Sequence, residues 1–272
     1  MNAAPYQVRT HNASTQSENR MHSDDVARQF GFKGGLVPGV TVFAHMTQPL
    51  VARYGEAWLA RGTAEVRFGK PAYEGELLAI HTRDAEDGSH TLTCLNEQGF
   101  ELAAMSATLP AAPLHPDARG DIPPAPPLAE RPAVTWDLME IGKPFPALAW
   151  TPTRDENREW CADVRDELPL YRDGDAPLLH PGLILRQANF ALRKRFIIPA
   201  WIHAASRITF FEPMRVGPGY DVRTIPEEKW NHNGHEFVRL YVAVRRADQV
   251  ERTVAEILHT AIFRPRARED KS

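Results

Sequence analysis

Val66-Arg67-Phe68-Gly69-Lys70-Pro71-Ala72-Tyr73-Glu74-Gly75 and Ile208-Thr209-Phe210-Phe211-Glu212-Pro213-Met214-Arg215-Val216-Gly217 share one frame. In each, a β-branched apolar residue precedes a phenylalanine, and a proline and a glycine follow at the same spacing. Upstream, Val37-Pro38-Gly39-Val40 is matched by Leu179-His180-Pro181-Gly182-Leu183, and Glu18-Asn19-Arg20 by Glu156-Asn157-Arg158. Matches in the same order on both sides of the chain's midpoint indicate an internal repeat, two diverged copies of one unit. Between the copies, Pro110, Pro113, Pro116, Pro123, Pro124, Pro126, Pro127 and Pro132 crowd one segment. Proline fixes φ and donates no backbone hydrogen, so this segment reads as an extended, semi-rigid linker, neither helix nor central strand. The division is 1–109, a linker over 110–134, and 135–272.

Composition agrees with two cores. The chain has 272 residues, 43% hydrophobic and 25% charged, as in ordinary globular proteins. A formal charge of -3 gives no general attraction to nucleic acid or an anionic membrane. Cys94 and Cys161 are too few and too isolated for a disulfide framework or a cysteine zinc site. No secretory signal opens the sequence, and no apolar run approaches the roughly 18 residues a membrane helix requires. The expected setting is the cytoplasm.

Within the first unit, Tyr6 to Thr10 alternates like a short strand, and a polar loop follows through Asp25. A short helix is expected from Asp24 to Phe30. A longer one begins near Pro38, with Val40, Phe43, Ala44, Thr47, Leu50, Val51 and Tyr54 at three- and four-residue spacing. Strands follow over Gly62–Phe68, Leu77–Arg83, His90–Asn96 and Phe100–Leu109, separated by glycine-bearing turns. The second unit repeats this with a helix from Pro181 to Phe196 and strands near 202–211, 220–230, 236–246 and 250–263. One long helix followed by antiparallel strands is an α+β pattern in which the sheet wraps the helix.

A polar loop with Asn-x-x-His, a Pro-Gly helix start and a later Phe-x-x-Pro-x-x-x-Gly strand resemble the hotdog fold, and more narrowly the MaoC-like acyl-thioester hydratases and dehydratases. Ser17-Glu-Asn-Arg-Met-His-Ser-Asp-Asp and Gly34-Gly-Leu-Val-Pro-Gly carry most of the match, Arg67 to Gly75 the rest. The resemblance implies a double hotdog over nearly the whole chain, with the two units sharing one continuous sheet. It also implies an acyl group on coenzyme A or on an acyl-carrier protein as substrate. No other cofactor is expected, and no metal; a homodimer is compatible with such a unit. In these hydratases a loop motif Asp-x-Asn-Pro-x-His carries the chemistry. Here the histidine position falls on His22 and the asparagine on Asn19. Arg20 replaces the proline, and Ser17 stands where the aspartate would be; Glu18, one place away, supplies a carboxylate only if the loop is shifted. In the second unit Asn157 persists, but Trp160 takes the place of His22, so at most one site is complete.

The chemistry suits these residues. Hydration of a 2-enoyl thioester builds negative charge on the thioester oxygen, which backbone N–H groups at a helix start are aimed to receive. Gly39, with Val40 and Gly35 beside it, is the candidate oxyanion and substrate-binding region. A histidine exchanges the proton, a carboxylate orients it or handles the water, and Asn19 positions a reacting group or forms an Asx turn. Two alternatives stay open: an acyl-CoA thioesterase, and a non-catalytic acyl-thioester-binding protein, favoured by Ser17 and Trp160. His232 and His235 flank Asn233-Gly234, which reads as a solvated hairpin turn ahead of a metal site. Arg193-Lys194-Arg195 ends a helix where positive charge suits the dipole, and is also a candidate contact for carrier phosphates.

Overall fold

The computed structural model describes residues 4–116 and 122–266; Asp117 to Asp121 of the expected linker lie outside the described residues. The strands are β1 (Tyr6–Arg9), β2 (Thr63–Phe68), β3 (Leu77–Asp84), β4 (His90–Leu95), β5 (Glu101–Thr108), β6 (Leu148–Trp150), β7 (Ile202–Phe210), β8 (Tyr220–His232), β9 (His235–Arg246) and β10 (Gln249–Arg264). All join one antiparallel sheet in the order β1-β3-β4-β5-β2-β7-β10-β9-β8-β6. The helices are α1 (Asp24–Gln29), α2 (Gly39–Tyr54), α3 (Glu56–Arg61), α4 (Arg154–Asp163) and α5 (Pro181–Arg195). The fold is a double hotdog, α+β.

The repeated frame marks the seam. β2 pairs with β7 in the register Ala64↔Ile208 and Val66↔Ser206. Val66, Ile208 and Phe210 are all buried beneath that junction. Behind the sheet, α2 and α5 lie against each other. Gly182 makes this possible: a Cβ there would stand 3.0 Å from Ala44 Cβ and 3.2 Å from the Val40 carbonyl. The core is continuous across both units, running from Phe43 and Leu78 to Leu183 and Val242. Two copies thus cover each other's apolar helix face and hide one sheet edge each.

Three local features add to the expectation. Trp58, on the unanticipated helix α3, is fully buried and meets Phe210 edge-on at 5.3 Å. The second unit's polar loop is a regular helix, α4, capped by Thr153, whose hydroxyl accepts from the Glu156 amide. The proline-rich segment also does more than span. Its Ile122 is buried against Tyr241 and Ala243 on the outer face of the sheet, and the Ile122 carbonyl accepts from Arg223 at 3.2 Å. At the β8–β9 hairpin, Asn233 and Gly234 both have positive φ, the geometry a two-residue turn demands. Among the described residues no helix is long and apolar enough to cross a membrane.

Candidate active site

The Ser17-to-Ser23 loop folds into a single 3₁₀ turn, Arg20–His22. Asn19 caps it: Asn19 Oδ1 accepts from the Met21 amide at 3.3 Å. The same oxygen accepts from the Trp201 amide at 3.1 Å, while Asn19 Nδ2 donates to the Trp201 carbonyl at 3.0 Å and to His22 Nε2 at 3.1 Å. Each face of the buried amide is therefore satisfied, and two of its bonds reach into the second unit. Asn19 is both the turn residue and the group that aims His22; it has no capacity left for a substrate.

His22 Nδ1 lies 2.7 Å from the Leu36 carbonyl, which can only accept. The proton is thus on Nδ1, and Nε2, receiving the Asn19 hydrogen, carries a lone pair. Burial pushes the imidazole below its ordinary value, partly offset by the Leu36 carbonyl. The loop delivers a neutral histidine in one defined tautomer.

His22 sits where two cavities meet. The first, of about 230 Å³, has apolar walls from Phe32, Leu36, Val42, Phe68 and Ile262, with Gly39 at the start of α2 beside them. The second, of about 210 Å³, is lined by Ser17, Val40, Trp160, Arg186 and Arg193 among others. Asn19, His22, Pro38, Asn189 and Trp201 border both. The Gly39 and Val40 amides occupy the first turn of α2, where a helix has no internal acceptors for its N–H groups.

Two expected site residues are placed elsewhere. Glu18 does not enter either cavity; its exposed carboxylate pairs with Arg131 at 2.9 Å and Arg193 at 3.5 Å, because a residue adjacent to Asn19 points to the opposite side of the tight turn. Gly35 does not offer a free amide, since its N–H donates to Asp24 Oδ1 at 2.8 Å. It is a packing glycine: a Cβ would fall 2.3 Å from the His22 carbonyl. Ser17 is near the site, yet its hydroxyl donates to the Asn19 carbonyl at 3.1 Å. No side chain of this loop brings a carboxylate to His22.

The second unit shows the same scaffold closed. Asn157 is again a buried amide tied to backbone, donating to the Tyr171 and Leu178 carbonyls at 2.9 Å each and accepting from the His180 amide at 3.1 Å. Trp160, in the place of His22, donates from Nε1 to His180 Nδ1 at 3.1 Å. The opposite nitrogen of His180 meets buried Asp166 at 3.3 Å. The indole fills the pocket so closely that a Cβ on Gly182 would stand 2.8 Å from its ring. Trp160→Ala is expected to cost about 3–5 kcal/mol, the penalty for emptying a large aromatic site; urea unfolding measures it, and a loss below about 1 kcal/mol would show that the ring is not a structural plug.

The sequence reading missed the contribution of the second unit to the first unit's site. Trp201, Asn189, His203 and His235 all reach the His22 cavities. His235, set aside as turn chemistry, lies at the rim of the larger one, with its Nδ1 accepting from the Arg266 amide at 3.0 Å. Arg193, one of the candidate phosphate contacts, does line the second cavity.

Neither a model of a known protein family nor a curated protein matches the sequence. Solved structures do match its fold. A MaoC domain protein from Chloroflexus aurantiacus superposes with a TM-score of 0.68 at 13% identity, over 97% of this chain and 94% of that one. A conserved hypothetical protein of Mycobacterium tuberculosis with a double hotdog fold gives 0.63 at 17% identity, over 96% and 94%. An acyl-CoA thioesterase II from Mycobacterium marinum gives 0.51 at 14% identity, over 86% and 93%. A MaoC-like dehydratase shares the fold as well. The double hotdog is thus the scaffold of this chain, and structures bearing both dehydratase and thioesterase names share it.

Proposed function

We propose that the chain is an acyl-thioester hydratase/dehydratase, interconverting a short- or medium-chain 2-enoyl thioester and its 3-hydroxyacyl form. The observation that carries this reading is the single tautomer of His22, with an unprotonated Nε2 on a residue at the junction of an apolar cavity and a second, more polar one. The acyl chain occupies the apolar cavity. The carrier arm, of coenzyme A or of an acyl-carrier protein, leaves past Arg186 and Arg193, and no other cofactor takes part.

In hydration, the water displaces the Asn19 N–H from the lone pair of His22 Nε2, and its oxygen bonds to C3 while its proton passes to that nitrogen. The double-bond electrons move toward the thioester oxygen, which the Gly39 and Val40 amides and the α2 dipole stabilise. The proton then passes from His22 to C2, restoring the neutral ring. Burial works in favour of this return, because an imidazolium at His22 is poorly solvated and would face the Asn19 N–H as donor against donor.

A panel of enoyl-CoA and 3-hydroxyacyl-CoA thioesters tests the reading. Loss or gain of the enoyl absorbance at constant thioester is expected. Release of free thiol without that change would instead support the thioesterase reading, which the shared fold with a thioesterase keeps in view. Tight binding of every thioester with no turnover would leave a binding protein.

A further inference from the structure

The loop that carries His22 brings no carboxylate beside it to hold the reacting water; Asp163 of α4 lines the second cavity, while in the first cavity the second unit supplies a different polar group, His203. We propose that His203 is a second catalytic residue: its Nδ1 accepts a hydrogen bond from the water that His22 deprotonates. This deepens the hydratase reading and rests on it.

The geometry begins with a fault in a strand. Residues three apart on a regular strand point to opposite faces. In β7 the register against β10 jumps from Ala205↔Thr260 to His203↔Ala261, leaving Ala204 as a bulge. Bulges re-aim side chains, and this one turns His203 and Ser206 to the same buried side. His203 Nε2 meets Ser206 Oγ at 2.8 Å, and Ser206 Oγ meets His259 Nδ1 at 3.0 Å. The ring is clamped between Phe68 at 4.6 Å and His259 at 4.3 Å.

The other nitrogen, His203 Nδ1, is buried and has no hydrogen-bond partner. It lies against the start of α2: a Cβ on Gly39 would be 2.7 Å from it. His203, Gly39 and His22 all line the same cavity. A buried polar atom without a partner is costly, so its retention at a cavity wall marks a place for a ligand.

The chain of contacts permits two proton arrangements, and the helix selects one. The N-terminus of α2 is positive, so a lone pair on Nδ1 is favoured there over an N–H. His203 then donates from Nε2 to Ser206, and Ser206 donates to His259. His22 and His203 line one cavity, and a water placed between them can give one hydrogen to His203 Nδ1 and the other to His22 Nε2, where it takes the place of the Asn19 N–H that now fills that nitrogen's single lone pair. One proton travels through His22 to C2. The other stays on oxygen and becomes the hydroxyl hydrogen of the product, still bonded to His203. Ser206 and His259 are positioning residues that fix the tautomer.

Two measurements test this. Ring ¹⁵N shifts of the wild-type protein are expected to show His203 neutral with an unprotonated Nδ1, and Ser206→Ala is expected to mix its tautomers; a wild-type His203 protonated on Nδ1 overturns the proposal without any reference to turnover. In kinetics on the enoyl-CoA turned over fastest in the panel, His203→Leu is expected to lower kcat at least tenfold with KM within about threefold. His203→Asn, which retains a polar atom near the position of Nδ1, should recover most of that loss. Hydration by folded His203→Leu at the wild-type rate would overturn the role of His203 and leave the hydratase reading standing. Absence of hydration by the wild type would overturn both.

Discussion

His22→Ala is expected to lower kcat for hydration by about 10²–10⁴-fold, the span a positioned acid/base commonly supplies, while the fold persists. The side chain bonds only the Leu36 carbonyl and Asn19 Nδ2, and the Asn19 amide keeps its links to Trp201 when the ring is gone. The stability cost is therefore on the order of 1–3 kcal/mol, far short of unfolding. The pH profile of the wild type supplies an independent check with a defined sign. The active form is the neutral ring, and burial lowers its pKa, so the acid limb of kcat/KM must fall below the ordinary histidine value of about 6.5. Wild-type turnover by His22→Ala, with unchanged circular dichroism, would remove His22 from the chemistry. An acid limb above the ordinary value would contradict the buried neutral ring.

The fold was legible because its determinants are residues with backbone reasons to be where they are. The Phe-x-x-Pro-x-x-x-Gly frame ends a seam strand in each unit, and Gly182 lets α5 approach α2; such residues leave a mark in one-dimensional spacing. His22 and Asn19 were legible for the same reason, since both lie in one short turn. What escaped notice depends on contacts far apart in sequence. Asn19 bonds Trp201 across the unit boundary, and no local pattern announces that. His203 and Ser206 read as opposite-facing on a strand, and only the bulge at Ala204 reverses this. Glu18 shows the converse: adjacency to the motif suggested a role, but one residue along a tight turn is a reversal of direction. Trp160 marked the second site as altered, and the structure gives the consequence, a pocket filled by an indole bonded to His180.

The buried histidines set a large expected dependence of stability on acid. His45 and His259 are fully enclosed, and burial, the foremost cause for each, holds both at about 3. For His45 the neighbouring His180 and Arg165 push further down and Asp166 pulls up. In the unfolded chain each returns to about 6.5. The folded value is the depressed one, so unfolding takes up a proton once the pH falls below the unfolded value, and stability declines from there until the folded value is reached. Each such ring loses up to about 1.4 kcal/mol per pH unit, so by pH 5 the two together remove about 4 kcal/mol of the stability present well above pH 6.5. His203 and His22, also lowered by burial, act in the same direction over the same window. Glu18, Glu74 and Asp84 are lowered too but are largely exposed, and carboxylates near 4 in the unfolded chain add their loss only at lower pH. Since a domain's whole stability is about 5–15 kcal/mol, the protein should lose a large share of it by pH 5, well above the range where carboxylates titrate. Urea unfolding at pH 7, 6 and 5 measures this directly. His259→Asn should flatten the slope by about one proton. A stability that stays level from pH 7 to 5 would mean that these rings are protonated in the folded chain, and the neutral lone pairs assigned to His22 and His203 would lose their physical basis with them.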